Sequence, residues 1–323
     1  MRLLDTAQTA ALLRQCEDVH ILIHRAPDGD CIGSGYSLQA VLRLLGIRSK
    51  VLCADPIPPR FDFLLPEEAE EEFPPKYVIS VDVADEKLFG TLEETYGGKV
   101  DLCIDHHISN QKYAANLLLD AKASSACEVL YRVYRELGVT LTEQIAKCLY
   151  TGMATDTGCF KFDNTGAETH IAAAEIMKAF PDVRYDLINR AMFDVKSPGR
   201  IRAEITMLQN MEYYLDGRLT IVWATLDICR ANGVDEKDLE GLANLSLSPE
   251  GVEIGMTVRE QEPGIYKISM RSAKDVNVSE ICHTFGGGGH IRAAGCEMEG
   301  DKDTIILKVT ELIREQLDAA DRD

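Results

Sequence analysis

Two adjacent histidines follow an aspartate in the stretch IDHHISN, which covers residues 104–110. The stretch comes directly after the apolar-rich segment KVDLC, so Asp105, His106 and His107 lie where a strand is expected to end. Each imidazole has two ring nitrogens that need partners if the pair is buried. Metal coordination is one chemistry that would supply partners for such a pair.

More acids and a further histidine lie at the ends of other predicted elements. HILIH (20–24) ends in His24, and the following RAPDGD carries Asp28 and Asp30. KYVISVD ends in Asp82, and the helical segment TEQIAKCLYTGMATDTG reaches Asp156 near its end. Each acid alone has an ordinary explanation, because aspartate is common in turns and at helix starts. Gathered in one crevice, however, the carboxylates would repel one another strongly unless cations neutralised them.

The chemistry of this donor set predicts two divalent cations. Oxygen and imidazole ligands without thiolates suit Mn²⁺ or Mg²⁺, with Fe²⁺ and Co²⁺ left open, and we expect Mn²⁺. A carboxylate that bridges the ions would hold them about 3.5–4 Å apart, and water between them would lose a proton near neutral pH. The resulting hydroxide suits in-line attack on phosphorus. The residues therefore predict a hydrolase that acts on phosphate esters.

The elements that must position these residues alternate along the first half of the chain. Strands are predicted for HILIH, RSKVLC, KYVISVD, VDLCID and, as a further candidate, NLLLD; helices are predicted over 33–46, 124–138 and 142–154. The alternation predicts an α/β fold with a mostly parallel sheet flanked by helices. Ligands of such sheets bind beyond the carboxyl ends of the strands, where the acids and histidines are expected.

The pattern changes in the last third of the chain. A helix is predicted from Pro198 to about residue 214, then strands over 217–226, 252–260 and 264–272, and a final helix over 303–317. We expect a catalytic domain over 1–195, a helical connector over 196–216 and a smaller mixed α/β domain over 217–323. The acidic run at 66–73 is interpreted as a solvated loop or a short helix.

The composition argues against several classes of protein. The 323 residues are 46% hydrophobic and 27% charged, which is typical of an ordinary globular chain. No apolar run reaches the roughly 18 residues of a spanning helix, and the N-terminus lacks the apolar core of a signal peptide. We expect a cytoplasmic protein without a membrane partner. The net charge of −19 disfavours binding to long nucleic acid.

Four segments resemble, in order, the motifs of the DHH phosphoesterase superfamily, which is named for its Asp-His-His triplet. They are HRAPDGDCIGS, VDVAD, IDHHISN and ATDTG. GGGGHIRAAG (286–295), preceded by MRS and DVNVSEI, resembles the signature of the associated C-terminal domain, DHHA1. The resemblance covers nearly the whole chain. The two-domain layout is most similar to the stand-alone oligoribonuclease (nano-RNase) and pAp phosphatase group.

The resemblance implies a role for each motif residue. One cation would be held by His24, Asp28 and Asp82, and the other by Asp30, Asp82, His106 and Asp156. Catalysis would involve Asp82 as the bridge, His107 facing the substrate phosphate, and Asp105 orienting the site. Substrate binding in the second domain would use Arg271, Gly286, Gly287, Gly288, Gly289 and His290, since glycines let backbone N–H groups approach a phosphate. Cys31 and Cys103 depart from the motifs and are expected to pack in the core.

The expected activity is hydrolysis of short oligoribonucleotides and dinucleotides such as pApA to mononucleotides, with removal of the 3′-phosphate of pAp as a further activity. The preferred substrate, the direction of cleavage, the physiological metal and the formation of a homodimer stay open. Other functions are alternatives to this activity. A DHH-type inorganic pyrophosphatase is one, but it should carry several basic residues in place of GGGGH. A RecJ-like exonuclease should add an OB-type domain. A nucleotide-binding protein that has lost catalysis is the last alternative. Such a protein would not need every type of metal ligand at its motif position, as this chain has.

Overall fold

The computed structural model describes residues 1–67, 72–235, 239 and 242–321. Contacts within the chain define two compact units, Met1–Val195 and Lys196–Asp323. A connector over 196–216 that is separate from the second domain stays a prediction. Residues 68–71 of the acidic run lie outside the described part of the chain. Among the helices of the described residues, none is long and apolar enough to cross a membrane.

Within the described residues, the first unit is built on a six-stranded sheet whose strand pairs are all parallel. Along the sheet, the order is β1-β6-β5-β4-β2-β3. The strands are β1 (Arg2–Leu3), β2 (Val19–Leu22), β3 (Ser49–Leu52), β4 (Tyr77–Val81), β5 (Leu102–Asp105) and β6 (Asn116–Leu119). The prediction of a mostly parallel α/β fold is therefore confirmed.

Helices and short turns surround this sheet. The helices are α1 (Thr6–Leu13), α2 (Gly29–Leu44), α3 (Glu93–Tyr96), α4 (Ala126–Leu137), α5 (Glu143–Asp156), α6 (Ala167–Ala179) and α7 (Tyr185–Asn189). Segments Pro59–Leu64 and Glu86–Leu92 form 3₁₀ turns, and Arg190–Asp194 forms a π turn. Helix α5 begins at the predicted cap, because the Thr142 hydroxyl accepts a hydrogen bond from the Ile145 N–H.

Two clusters of buried side chains lie on opposite faces of the sheet. Ile21, Ile79 and Ile104 belong to the larger cluster, which also contains the apolar faces of α2, α4 and α5. Their strand neighbours Leu22 and Cys103 belong to the smaller one. Adjacent strand residues point to opposite faces. Burial on both faces explains why the strands are nearly continuous apolar runs in the sequence.

Helix α2 begins four residues before the predicted start at 33. The Asp28 side chain caps it by accepting hydrogen bonds from the N–H groups of Asp30 (3.1 Å) and Cys31 (3.0 Å). The prediction missed this turn because glycine lowers helix propensity, and the segment GDCIGSG contains three glycines. Asp30 consequently lies in the first turn of a helix rather than in a loop.

Glycines let α2 and α5 approach closely. A Cβ at Gly29 would lie 2.4 Å from Thr155 Oγ1, and a Cβ at Gly33 would lie 2.4 Å from a backbone carbonyl oxygen of α5. The second clash cannot be relieved by a side-chain movement, so the helix contact requires glycine there. This contact brings the first turn of α2, with Asp30, towards the end of α5, where Asp156 is the last residue.

The second unit contains a mixed sheet in the order β11-β12-β10-β9-β8-β7. Its strands are β7 (Glu212–Tyr214), β8 (Leu219–Ala224), β9 (Ile254–Glu262), β10 (Ile265–Ser272), β11 (Gly288–His290) and β12 (Ala293–Glu299). Only β8 and β9 pair in parallel within the described residues. The helices are α8 (Pro198–Gln209), α9 (Leu226–Asn232), α10 (Ala243–Ser246), α11 (Val278–Thr284) and α12 (Lys302–Ala320).

Two features of this unit differ from the sequence prediction. Helix α8 ends at Gln209 and residues 212–214 form β7, so the predicted continuation of the helix to about 214 is wrong. Tyr213 and Tyr214 have high strand propensity, and this outweighs the helical spacing of the segment. The hairpin of β11 and β12 was not predicted, because four consecutive glycines offer no pattern of side chains.

Candidate metal centre

The carboxyl ends of three neighbouring strands carry five of the eight residues that were predicted for metal binding and catalysis. His24 lies two residues after β2, and Asp82 follows β4 directly. Strand β5 ends in Asp105, which His106 and His107 follow. The order β5-β4-β2 makes these strands neighbours in the sheet. The residues are therefore gathered at one edge, as expected for a ligand site in a parallel sheet.

His106 lies at the centre of one group of donor atoms. Its Nε2 is 3.5 Å from Asp82 Oδ1, 3.5 Å from Asp156 Oδ2 and 3.9 Å from Asp30 Oδ2. Its Nδ1 is 3.3 Å from the carbonyl oxygen of Ala123 and donates to it. That hydrogen bond selects the tautomer in which Nε2 can accept a metal ion.

His24 lies at the centre of a second group. Its Nε2 is 3.8 Å from both Asp28 Oδ1 and Asp82 Oδ2, while its Nδ1 donates to the carbonyl oxygen of Arg25 at 2.8 Å. Asp82 therefore presents Oδ2 to the group around His24 and Oδ1 to the group around His106. A carboxylate that bridges two cations needs this arrangement.

Two buried atoms between these residues have no hydrogen-bond partner among the described residues. They are Asp82 Oδ1 and His106 Nε2, which lie 3.5 Å apart in side chains that are 3% and 4% exposed. A buried polar atom without a partner costs about 1–3 kcal/mol. A divalent cation would satisfy both atoms, and the carboxylate and imidazole donors suit such an ion.

The backbone at Asp82 is left-handed, with φ of 58°. Its N–H still donates to the carbonyl oxygen of Ile104 at 3.0 Å, so the chain turns while it remains bonded to β5. Aspartate tolerates this conformation better than most residues. Backbone strain of this kind is typical of functional positions, where the direction of a side chain matters more than local stability.

Burial and mutual repulsion raise the pKa values of several carboxyls in the site. Burial is the largest cause for Asp156, whose pKa is raised to about 7, and for Asp30. Burial and repulsion from Asp30 hold the pKa of Asp82 well above its usual range. For His24, burial opposes the charged form, but Asp28 and Asp82 outweigh it and raise the pKa to about 10. The cluster therefore retains protons that a cation would displace.

Asp105 lies behind the two histidines and is fully buried. Its Oδ1 accepts hydrogen bonds from the N–H groups of His106 (2.8 Å) and His107 (3.2 Å) and from His107 Nδ1 (2.8 Å). Its Oδ2 accepts from the Asn110 amide at 2.6 Å. For His107, burial disfavours the charge, but the bond to Asp105 raises the pKa to about 9. Asp105 thus orients His107 rather than facing the donor groups.

Sequence reasoning missed the segment at the start of α4. The N–H groups of Ala126 and Cys127 donate to the two oxygens of Asp30 at 2.6 and 2.9 Å, so the amino end of the helix stabilises this carboxylate. The preceding Ala123 accepts the hydrogen bond from His106. One short segment therefore orients two of the donors around His106.

Glu128 holds this segment in place from inside α4. Its buried carboxylate accepts hydrogen bonds from the Ser124 N–H (3.0 Å), the Ser124 hydroxyl (2.7 Å) and the Thr169 hydroxyl (2.7 Å). The Asn164 amide donates to the carbonyl oxygens of both Ser124 and Asp156, at 3.1 and 3.2 Å. The only signal in the sequence is a Ser-x-x-Glu pattern, which normally indicates a helix cap and not a site.

Both cysteines that depart from the motifs are fully buried. Cys103 accepts hydrogen bonds from Asn110 and Tyr113 at 3.6 and 3.5 Å. The Cys31 thiol forms a group with His24 and Asp82, in which one donor atom of each residue lies within 4.8 Å of the others. Burial is the main cause that holds the pKa of Cys31 well above its usual range, so its thiol is protonated when no cation is present.

In the second unit, Arg271 is half-buried near the end of β10. Its Nη1 donates to the Met270 carbonyl oxygen at 2.9 Å, and no carboxylate forms an ion pair with it in the part of the chain that the structure describes. Burial lowers the pKa of Arg271 below its ordinary value. A half-buried cation without a counter-charge is suited to an anionic ligand.

The glycine-rich stretch follows the end of α11 and forms the edge strand β11. Gly286 has φ of 77°, and Cβ atoms at Gly287 and Gly289 would lie 2.2 and 2.5 Å from carbonyl oxygens of the adjoining hairpin strand. These three glycines are thus required by the local backbone. A Cβ at Gly288 meets nothing within 4 Å, and His290 is exposed at the end of the strand.

Comparison with known proteins identifies the family. The DHH family N-terminal domain matches residues 18–153, and the DHHA1 domain matches residues 220–317. The bifunctional oligoribonuclease and PAP phosphatase NrnA of Thermus thermophilus is 31% identical over 94% of this chain and 91% of its own. The protein of the same name from Bacillus subtilis is 26% identical over 91% and 95%.

A solved structure shows the same fold. The crystal structure of an exopolyphosphatase-related protein from Bacteroides fragilis superposes with a TM-score of 0.86 over 96% of both chains, at 22% identity. The chain belongs to the DHH phosphoesterase family, and the family resemblance of its motifs is confirmed.

Proposed function

We propose that this chain is a two-metal hydrolase that cleaves short oligoribonucleotides and dinucleotides such as pApA to mononucleotides, and that it removes the 3′-phosphate of pAp. The observation that carries the proposal is Asp82, which presents one oxygen to each donor group and leaves Oδ1 without a partner among the described residues. The names of the relatives from Thermus and Bacillus support this class of substrate.

In this proposal the two donor groups would hold two divalent cations, and Mn²⁺ is the ion that would serve both groups when no softer cation is present. His24, Asp28 and Asp82 would hold one ion, and Asp30, Asp82, His106 and Asp156 would hold the other. When bound, the ions supply Lewis-acid activation of a water nucleophile and of the phosphate oxygen. Oxygen and imidazole donors around His106 support Mn²⁺ over softer cations at that position.

We assign His107 to the substrate phosphate. Asp105 holds its ring through the 2.8 Å hydrogen bond to Nδ1, and this bond favours the charged form of the imidazole by raising the pKa of His107. Its side chain is 31% exposed beside the buried Asp82, so a phosphate can reach it. A fixed positive charge at this position would stabilise negative charge that develops on the phosphate oxygens.

The second unit supplies nucleotide binding in this proposal, through Arg271 and the stretch from Gly286 to His290. The Arg271 guanidinium has no carboxylate partner among the described residues and suits a phosphate. Strand β11 is an edge strand, so one side of its backbone faces away from the sheet. Arg271→Ala and His290→Ala should each raise KM about tenfold and change kcat less than about threefold. A large loss of kcat at unchanged KM would contradict this assignment.

An assay with Mn²⁺ and several substrates in parallel tests the proposed function. We expect release of mononucleotides from pApA and short RNA, and of phosphate from pAp. Faster turnover of pyrophosphate would favour a pyrophosphatase, and degradation of long single-stranded DNA would favour a RecJ-like enzyme. Binding of nucleotides without turnover of any substrate, in the presence of bound Mn²⁺, would refute the catalytic proposal.

We also propose a cytoplasmic location. All ten cysteines are free thiols, and proteins of oxidising compartments more often carry disulfides. Fractionation of cells that produce the protein would test the location, and recovery in a secreted fraction would contradict it.

A further inference from the structure

A sulfur atom lies among the oxygen and nitrogen donors around His24. Cys31 Sγ, a ring nitrogen of His24 and a carboxylate oxygen of Asp82 lie within 4.8 Å of one another. Cys31 is the third residue of α2. Its backbone N–H donates a hydrogen bond to Asp28 Oδ1 at 3.0 Å, which is part of the helix cap. Its side chain is completely buried, so the thiol is held at this position by the helix start and by packing.

The hydrogen bonding of this thiol is weak. Cys31 Sγ donates to the carbonyl oxygen of His24 over 3.9 Å, and a thiol is a poor donor even at shorter distances. Cys53 provides a contrast, because its Sγ donates to the same carbonyl oxygen at 3.3 Å. Cys53 is half-buried and belongs to no donor group among the described residues.

We propose that Cys31 is a thiolate ligand of the cation held by His24 and Asp82, and that this position selects thiophilic cations such as Zn²⁺, Cd²⁺ or Co²⁺ over Mg²⁺. On binding, the cation takes the place of the thiol proton, which passes to solvent while the sulfur lone pair bonds to the metal. Cysteine, histidine and aspartate are all zinc ligands, and a thiolate favours softer cations over Mg²⁺. The inference rests on the metal centre of the proposed function.

The two cation positions should therefore differ in metal preference. The group around His106 contains only nitrogen and oxygen donors, which suit Mn²⁺ or Mg²⁺. The group around His24 adds sulfur. A mixed pair of cations would then bind this chain more tightly than two identical hard cations, with the softer ion beside Cys31.

Absorption spectroscopy of the full-length, metal-free chain during titration with Co²⁺ tests the proposal. The unsubstituted protein should show visible ligand-field bands together with a near-ultraviolet charge-transfer band from sulfur to cobalt. Cys31→Ala and Cys31→Ser should lose the charge-transfer band and keep the ligand-field bands. Cys53→Ser is the matched control and should keep both. Equal melting temperatures of the metal-free proteins would show that the variants are folded.

Affinity provides a second measurement. Cys31→Ala should weaken Cd²⁺ binding by at least about tenfold and change Mn²⁺ binding by less than about threefold. If the Cys31 variants do not fold, the ¹¹³Cd NMR shift of the unsubstituted chain decides whether a thiolate is bound. Two results would overturn ligation by Cys31 without contradicting the metal centre. One is ligand-field bands without a charge-transfer band in the unsubstituted protein, and the other is a charge-transfer band that persists in the Cys31 variants. Failure of Co²⁺ to bind at all would overturn both ligation by Cys31 and the metal centre.

Discussion

The pKa of Asp156 makes the stability of the metal-free protein depend on pH. Burial, with repulsion from Asp30 and Asp28, outweighs attraction to His106 and raises this pKa from 3.8 to about 7. As the pH rises through this interval, the unfolded chain loses a proton that the folded chain keeps. The contribution of Asp156 to the free energy of unfolding should therefore fall between pH 3.8 and about 7 and level off above pH 7. Asp156→Asn removes this contribution, because asparagine does not ionise.

The magnitude follows from the two pKa values. The difference between 3.8 and about 7 corresponds to roughly 4 kcal/mol, at about 1.4 kcal/mol per pH unit for one proton. Neighbouring acids share the proton, and the side chain of Asp156 is 29% exposed, so we expect a measured difference of roughly 1–4 kcal/mol. The raised pKa values of His24 and His107 also make the free energy of unfolding fall with increasing pH, at higher pH than Asp156 does. Both histidines are present in the original protein and in Asp156→Asn.

Unfolding of the chelator-treated proteins between about pH 5 and pH 8 measures the effect. The original protein should lose stability relative to Asp156→Asn as the pH rises towards 7, and hydrogen exchange of α5 would locate the change in the first unit. Asp182→Asn, which alters an exposed carboxylate, is the control. Identical pH dependence of the original protein and Asp156→Asn would refute the argument. Addition of Mn²⁺ should raise the free energy of unfolding of the original protein most strongly at pH 8, because at that pH the ion displaces the fewest protons.

Three substitutions test the remaining parts of the site. Asparagine, like aspartate, tolerates the φ of 58° at position 82, so Asp82→Asn should leave the backbone unchanged. This substitution should lower Mn²⁺-dependent kcat/KM at least about hundredfold. Undiminished turnover would exclude the bridging role. Gly152→Ala should destabilise the fold by about 1–3 kcal/mol, because its Cβ would lie 2.2 Å from Cys127 Sγ. Gly166→Ala, whose Cβ meets nothing within 4 Å, is the control for calorimetry, and equal melting temperatures of the two variants would contradict the packing argument. Glu128→Ala should lower the free energy of unfolding by about 2–4 kcal/mol and weaken Mn²⁺ binding. Glu128→Gln should recover part of both losses. If titration calorimetry finds unchanged Mn²⁺ affinity, the role of Glu128 is restricted to folding.

The parallel sheet and its flanking helices were predictable because their signals are local. Apolar runs of strand length and amphipathic stretches between them are visible in any window of the sequence. Boundaries were less predictable. The start of α2 was hidden by glycines whose purpose is the close contact with α5, and the end of α8 depended on two tyrosines that pair in a sheet. At α2 a tertiary contact outweighed the local helix propensity, and at α8 the strand propensity of the tyrosines and their pairing in the sheet outweighed the helical spacing.

The sequence by itself determined the types of donor available and, for His24, Asp82 and Asp105, the strand that ends at or near each one, because motif order and strand ends are properties of the chain. Only the tertiary structure decided which atoms share a site. The strand order places Asp82 between the groups around His24 and His106, and the helix start turns the Cys31 sulfur towards His24. The amino end of α4 meets Asp30 across 96 residues of sequence. Such long-range contacts arise from packing between elements, which no periodicity within a single element encodes.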